Sequence, residues 1–426
     1  MQPPDPALRL RSIAWSGLEG LGGPICEAAC AVYEGKRVDH QLTDFLRANP
    51  QFTSAQRTCA AEALLGLSLW RRRLAANLGL KWTDDTKIVN LSDHLPALLC
   101  SFLGDLAGLT ETTAIALSGA QRGRVPHGCL APADLYSLPD WLWREIGDAV
   151  PAEEAEELAA ALDLPGPIFL RANRAKGSRE ELIETLRRED IEAEPCVFAP
   201  DGLRVTSARP NLWASPAARA GSFEVQDEGS QLLGELLEAK KGERVLDLCA
   251  GSGGKSMQLA DAVGPGGRVL CFDVDHEALA RLRNRARRAG ATQVEILDSL
   301  PQDLRVDRVL VDAPCSSLGP LRRGPDARFR IAPDSFAALP ALQLELLQTA
   351  ARHLRPGGRL VYATCTFRKQ ENEAVAIAFE QASPGLARIR PARGSIGARF
   401  FRGDYFTSLP HRDGTDGFFA AAWERR

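Results

Sequence analysis

From about residue 230 the chain repeats one local plan: an apolar strand, a glycine turn, a helix. RVLDL, RVLCFDVD, VEIL, RVLVDAP and RLVYATCT read as strands, and KSMQLADAV, HEALARLRNRARRAG, PALQLELLQTAARHL and ENEAVAIAFEQA as helices. Strands that are apolar almost throughout are buried on both faces, and the helices between them serve as crossovers. This alternation predicts a parallel, doubly wound α/β sheet. Ligands of such sheets bind beyond the carboxyl ends of the strands. Two cysteines, Cys315 and Cys365, fall at strand ends of this kind.

The other half of the chain has a different texture. At 426 residues the protein exceeds one ordinary core, so two or three domains are expected. Residues 7 to about 120 are rich in Ala, Leu and Arg, with apolar residues recurring at three and four, and read as helices. SAQRTCAAEALLGLSLWRRRLAANL reads as a long helix capped by Ser54. There Trp70 with Arg71, Arg72 and Arg73 is either an RNA-facing patch or a solvated basic helix end. A break follows near QRGRVPHGCLAPADLYSLPDWL. Next come a strand in PIFLRANR, a helix in SREELIETLRRE and a strand in DGLRVT. Ser178 and Glu181 have the spacing of a capping box, in which hydroxyl and carboxylate each satisfy a free amide of the first turn. The boundaries expected are an all-α domain at 1–140, a small α+β module at 141–222 and the wound sheet at 223–426.

Composition excludes several classes. The longest apolar runs fall short of 18 residues, and PPDPALRLRS offers no apolar signal core, so neither a transmembrane helix nor secretion is expected. Ten cysteines are scattered without a CxxC pair, which suits a reducing cytosol. Cys26 and Cys30 share a helix face and read as core, and no metal site is expected. A net charge of −3 argues against a generic nucleic-acid coat, although the last segment, 223–426, carries about +3. A cytoplasmic monomer is expected, without a membrane partner.

The loop VLDLCAGSGGKS resembles three nucleotide loops, and spacing separates them. A P-loop needs glycine five positions before Gly254, where Cys249 stands. A dinucleotide fingerprint starting at Gly251 needs glycine or alanine where Ser256 stands. A methyltransferase loop needs an acid at the strand end followed by small residues, which Asp247, Gly251 and Gly253 supply. Small residues let the backbone approach the methionine part of S-adenosylmethionine. Asp273, some twenty residues on, suits the ribose hydroxyls, and Asp298, after the third strand, the adenine amino group.

A methyl acceptor that needs thiols is the C5 carbon of a pyrimidine, which is a poor nucleophile. A thiolate added to C6 makes C5 electron-rich, so covalent catalysis replaces one hard step by easier ones. The ring then needs an acid near N3, for which Asp312 is placed three residues before Cys315. An unperturbed thiol has a pKa of about 8.5, so the site is expected to lower it, with Lys255 contributing. The competing reading, two inert core thiols, is weakened because both lie at strand ends beside the glycine loop.

DLCAGSGGKS, DAPCSSLGPLRRGPDARFR and YATCTFRKQENEAV, in that order, resemble the Sun/RsmB family of RNA cytosine-C5 methyltransferases. SLPDWL, FLRANRAKGSREEL, VQDEGSQL and DGFFAA resemble flanking segments, so the likeness runs from about residue 135 to the end. The helical N-terminal region resembles the NusB-like RNA-binding domain of bacterial members. The resemblance implies a Rossmann-like class I methyltransferase sheet preceded by a small α+β module and an all-α NusB-like domain. It implies that Cys365 is the nucleophile, that Cys315 assists product release, and that S-adenosylmethionine contacts Cys249, Ala250, Gly251, Ser252, Gly253, Gly254, Lys255, Asp273, Asp298 and Asp312. The chain departs from the family's usual pattern where Gly251-Ser252 replaces Ala-Pro, where Thr366 replaces serine, and where Ser317 replaces glycine.

Arg322, Arg323, Arg328 and Arg330 follow Cys315 closely and are either RNA contacts, binding phosphates without reading sequence, or a solvated loop; the first reading leads, and Lys255 joins the expected RNA contacts. The arginine-rich helix from Arg281 to Arg288 reads as a solvated face. The target base must be unpaired or flipped, since C5 and C6 are hidden in a stack. The leading expectation is formation of 5-methylcytosine in ribosomal RNA, most simply 16S. The rivals are a transfer-RNA methyltransferase of the same chemistry, a non-catalytic RNA-binding assembly factor with the same fold, and, most weakly, a dehydrogenase.

Overall fold

The computed structural model describes residues 8–82, 91–121, 130–207, 210–390 and 396–426. The chain divides into two compact units. One comprises Met1–Pro165 with Leu321–Ser335, the other Gly166–Pro320 with Phe336–Arg426. The expected boundaries at 140/141 and 222/223 do not coincide with this division. The expected break before Leu130 lies largely outside the described residues.

The first unit is helical: α1 (Gly22–Tyr33), α2 (Val38–Ala48), α3 (Ser54–Leu69), α4 (Arg71–Asn77), α5 (Leu95–Ser101), α6 (Glu111–Ser118), α7 (Pro132–Leu135), α8 (Asp140–Ala149) and α9 (Ala155–Asp163). The long helix expected from Ser54 breaks at Trp70, and its cap is Thr53, which forms a capping box with Gln56. Trp70 is buried and stacks on Phe102, with ring centroids 6.1 Å apart. Both readings of the basic run fail for Arg71 and Arg72, which are buried. The Arg71 guanidinium lies over the rings of Tyr33 and Phe329, a cation–π sandwich. Burial pulls its pKa down to about 10. Arg72 donates to Asp134, Asp140 and the Leu138 carbonyl.

The segment Leu321–Ser335, although it follows the Pro-Cys turn in sequence, is part of this helical unit. This corrects the expected RNA contacts. Arg328 is 0% exposed. It pairs with the equally buried Asp163 at 2.7 Å and donates to the carbonyls of Leu162 and Tyr136. Removing either partner would leave a buried charge uncompensated, so the arginine is an internal strut. Arg322 is buried, and Arg330 pairs with Asp326, which also accepts the amide of Val38 at the start of α2. Arg323 is exposed.

The second unit has two sheets. Strands β1 (Phe169–Ala172), β2 (Ala193–Pro195), β3 (Gly202–Val205) and β4 (Phe223–Val225) form an antiparallel sheet in the order β2-β3-β1-β4. Its helix α10 (Arg179–Arg188) begins at the expected capping box of Ser178 and Glu181. The larger sheet contains β5 (Arg244–Asp247), β6 (Arg268–Cys271), β7 (Val294–Ile296), β8 (Val306–Asp312), β9 (Leu354–Thr364), β10 (Leu386–Ile389), β11 (Phe401–Arg402), β12 (Tyr405–Ser408) and β13 (Phe418–Arg425). Its order is β11-β12-β13-β9-β8-β5-β6-β7, with β10 paired to β13. The run from β7 to β9 is parallel, and β13 adds antiparallel to β9.

Helices α11 (Pro216–Arg219) and α12 (Glu228–Leu236) precede this sheet; α13 (Gly254–Val263), α14 (His276–Ala289), α15 (Leu339–His353) and α16 (Glu373–Ala382) alternate with its strands. Apolar residues on both faces of β5, β6, β8 and β9 are buried, as a sheet wrapped on both sides requires. The strand order reverses at β5, with β6 on one side and β8 on the other, so a crevice is expected above their carboxyl ends.

Candidate active site

A cavity of about 610 Å³ opens at that switch point. The turns after β5, β6 and β8 line it, together with Cys365 just after β9. Of the expected cofactor residues, Cys249 to Lys255, Asp273 and Asp312 all face it. Asp298 follows β7, is exposed, and is not among the lining residues.

The glycine loop is held by side chains from other elements. The Asp273 carboxylate accepts the amide of Gly251 at 2.8 Å and the amide of Asp275 at 2.8 Å. Arg285 of α14 donates to the Ser252 carbonyl and hydroxyl, and is itself fixed by the buried Glu224. Arg288 pairs with the same Glu224, so this part of the arginine-rich helix is not a solvated face. Gly253 has a φ of +88°, and a Cβ there would meet the Leu282 side chain at 2.6 Å. A Cβ at Gly254 would meet nothing within 4 Å, so the start of α13 presents bare backbone.

Under this loop lies Asp247, buried at the end of β5. One oxygen accepts from Ser256 at 2.6 Å, while Oδ1 is buried with no partner among the described residues. Burial raises its pKa to about 7, against the help of Ser256. A buried, half-satisfied carboxylate under open backbone fits a ligand that carries positive charge and N–H donors. The amino-acid end of S-adenosylmethionine has both. Burial drives the Cys249 thiol well up from its usual range, so it lines the cavity as a neutral, apolar group.

The two thiols meet. The sulfurs of Cys315 and Cys365 are 3.4 Å apart, and the Cys365 amide donates to the Cys315 sulfur at 3.4 Å. Their acidities split. The hydrogen bond from Cys315 lowers the pKa of Cys365, and the same bond, then burial, raises that of Cys315. The pair thus favours a Cys365 thiolate beside a Cys315 thiol. Lys255 Nζ lies 2.7 Å from Asp312. Burial works against the Lys255 charge, but Asp312 outweighs it and the pKa is raised. Lys255 is therefore a cation inside the cavity.

Sequence reasoning missed the groups that hold the thiol loops together. Glu371, 0% exposed, accepts the amide of Ser316 and a bond from Gln343, and pairs with Arg368 at 3.1 Å. Ser316 and Thr366 share a hydrogen bond of 2.8 Å, and the amide of Gly319 donates to the Cys365 carbonyl. Asn372 accepts from Thr364 and donates to the carbonyl of Thr366. Glu371 and Asn372 stand in the quoted YATCTFRKQENEAV, and their only sequence signal was polar side chains close behind a strand end.

A switch-point cavity with a glycine loop, strand-end carboxylates and a doubly wound sheet closed by an antiparallel strand defines a class I methyltransferase. Comparison with known proteins refines the class. Residues 235–424 match the family described as 16S rRNA methyltransferase RsmB/F, and residues 138–211 its ferredoxin-like domain. The probable ribosomal RNA small subunit methyltransferase B of Bacillus subtilis is 33% identical over 308 residues, covering 68% of this chain and 67% of that one. Two solved structures share the fold. PH0851 has a TM-score of 0.77 at 24% identity and covers 97% of this chain and 99% of its own. NSun6 from Pyrococcus horikoshii, solved with SFG, has a TM-score of 0.59 at 21% identity over 68% and 99%. The chain belongs to the RsmB/F family of small-subunit ribosomal RNA methyltransferases.

Proposed function

We propose that this protein forms 5-methylcytosine in small-subunit (16S) ribosomal RNA, using S-adenosylmethionine and a covalent Cys365–C6 adduct. The observation that carries the reading is the pair of sulfurs 3.4 Å apart on the wall of the cofactor cavity, with the pKa lowered at Cys365 and raised at Cys315. Oxygen or nitrogen acceptors would need neither thiol.

Bound S-adenosylmethionine would supply an electrophilic methyl group on a sulfonium. Asp247 and the backbone of Gly251–Gly254 would hold its amino-acid end, and Asp273 its ribose. The Cys365 thiolate forms a bond to C6 of the base, and the electron pair displaced from the C5–C6 double bond moves into the ring. Lys255, the cation paired with Asp312, offsets that charge, and Asp312 would pass its proton to the N3 side of the ring. C5 then accepts the methyl. Cys315, ionised once the Cys365 charge is gone, takes the C5 proton; the electron pair left at C5 restores the C5–C6 double bond and expels Cys365 as its thiolate. Cys315 serves this last phase. While Cys365 is a thiolate, its charge keeps Cys315 protonated. Once Cys365 is bonded to carbon that charge is gone, and Cys315 becomes the easier group to ionise and the available base.

The RNA-binding roles remaining from the sequence fall to Arg323 and Arg330, which are exposed and belong to the helical unit. We assign that unit to holding RNA, as a NusB-like domain would. The test is 5-methylcytosine formation by the purified protein on small-subunit RNA against a transfer-RNA pool. Transfer to the ribosomal RNA is expected, with a loss of at least about 10³-fold in Cys365→Ala. Full turnover by that variant would overturn the chemistry. Preference for transfer RNA would overturn the substrate.

A further inference from the structure

Ser317 sits where glycine is usual in the family, and its backbone shows why glycine suits. Its φ is +55°, the left-handed region that side chains disfavour. A non-glycine residue held there is strained, and such strain gathers at functional sites. Packing does not explain the serine, because the residue is exposed and lines the cavity. What its side chain does is reach sulfur. Ser317 Oγ lies 3.5 Å from the Cys365 sulfur and 3.4 Å from the Cys315 carbonyl.

We propose that Ser317 is a positioning residue for the Cys365 sulfur, its hydroxyl accepting from the thiol and turning to donate to the thiolate. The two positions of the hydroxyl are already marked by its neighbours. With Cys365 protonated, the thiol donates to Ser317 and Ser317 donates to the Cys315 carbonyl. With Cys365 ionised, the hydroxyl proton swings from that carbonyl to the sulfur. The second arrangement is the stronger, because a thiol is a weak donor whereas a thiolate accepts a charge-assisted bond. Ser317 therefore biases the sulfur toward its nucleophilic form. The other groups facing Cys365 are Cys315, which acts in the same direction and most strongly, Lys255, which helps, and Asp312, which opposes. The hydroxyl adds to the Cys315 bond, so one turn supplies the sulfur with two donors.

The inference builds on the reading of Cys365 as nucleophile but is tested apart from it. The rate of Cys365 alkylation by iodoacetamide is measured on the full chain from pH 6 to 10, with peptide mapping to isolate that cysteine. Ser317→Ala removes the hydroxyl and keeps the strained Cβ; Ser317→Gly removes both. Both variants are expected to move the ionisation midpoint up by about 0.5–1 pH unit, a several-fold loss of thiolate near neutral pH. An unmoved midpoint in Ser317→Gly overturns the proposal, and that variant decides alone if the alanine protein does not fold. Since alkylation reads the sulfur itself, this result is independent of whether Cys365→Ala loses methyl transfer.

Discussion

The glycine loop after β5 and the thiol loop after β8 leave neighbouring parallel strands at the same edge of one sheet, yet they are built on opposite principles. The glycine loop is held from outside. Asp273 and Arg285 grip its backbone, and from Gly251 to Gly254 only Ser252 carries a side chain. The thiol loop is braced to its neighbour after β9 by its own side chains, through Cys315–Cys365, Ser316–Thr366 and Ser317–Cys365. A loop that must receive a ligand clears space. A loop that must present a reacting atom fixes it with hydrogen bonds to the atom itself and to its neighbour. The family departures follow the same division. Gly251 adds freedom, and its φ of +52° uses it. Ser317 and Thr366 add or keep hydroxyls that make bonds.

The largest effect that would break this comparison lies in the thiol loop. Cys315→Ala leaves Cys365 able to attack but removes the group assigned to release. Turnover is expected to fall by at least about 100-fold. Protein is expected to stay covalently attached to RNA, seen as a denaturant-resistant band. The double variant with Cys365→Ala should show no such band. A Cys315→Ala protein that turns over normally would make the paired sulfurs a packing feature.

The next effect tests whether the glycine loop is kept clear for a reason. Gly253→Ala meets both a φ of +88° and the Leu282 side chain at 2.6 Å. It should cost about 2 kcal/mol of stability or an equivalent loss of cofactor affinity. Gly254→Ala, at a helical position with open space, should leave stability nearly unchanged and weaken only cofactor binding. Thermal unfolding with and without S-adenosylmethionine separates the two. Equal behaviour would mean that the loop's clearance is incidental.

How much of this was legible beforehand follows from the range of the interactions. The sheet was legible because its signal is local: each apolar run and each helix between β5 and α16 is written in consecutive residues. So was the capping box at Ser178, whose two partners lie three apart. The long helix failed at Trp70 because a stacked Phe102, 32 positions away, decides where that chain turns. The arginines after Cys315 failed for the same reason. Their charge is visible in sequence, but Asp163, which consumes Arg328, is 165 residues distant. In the site, Asp247, Asp273 and Asp312 were found through motif spacing. Glu371 and the Ser317 contact were not, since the first works through the amide of a residue 55 positions upstream and the second through a backbone conformation that composition does not encode.

The smallest effect is a pH dependence that belongs to the glycine loop and not to the thiols. Asp247 carries a pKa raised by burial from 3.8 to about 7. Below pH 3.8 it is protonated in both the folded and the unfolded chain. Between 3.8 and about 7 the folded, ligand-free protein keeps a proton that the unfolded chain has released. The stability this contributes is therefore full at low pH and is lost as pH rises through 7, the reverse of a salt-bridged carboxylate. Asp163, raised to about 6 by the same cause, tilts stability in the same direction but does not line the cavity. A positively charged ligand group favours ionised Asp247, so S-adenosylmethionine affinity should fall about tenfold per pH unit below 7 and level off above it. Asp247→Asn should remove that slope, bind the cofactor weakly throughout, and unfold at pH 8 no earlier than the parent protein, because it lacks the buried unpaired charge. Calorimetric titration from pH 5.5 to 8.5 checks the slope. An affinity in the parent protein that is flat across this range would mean that Asp247 never meets the ligand, and that the glycine loop is cleared for something other than a cationic cofactor.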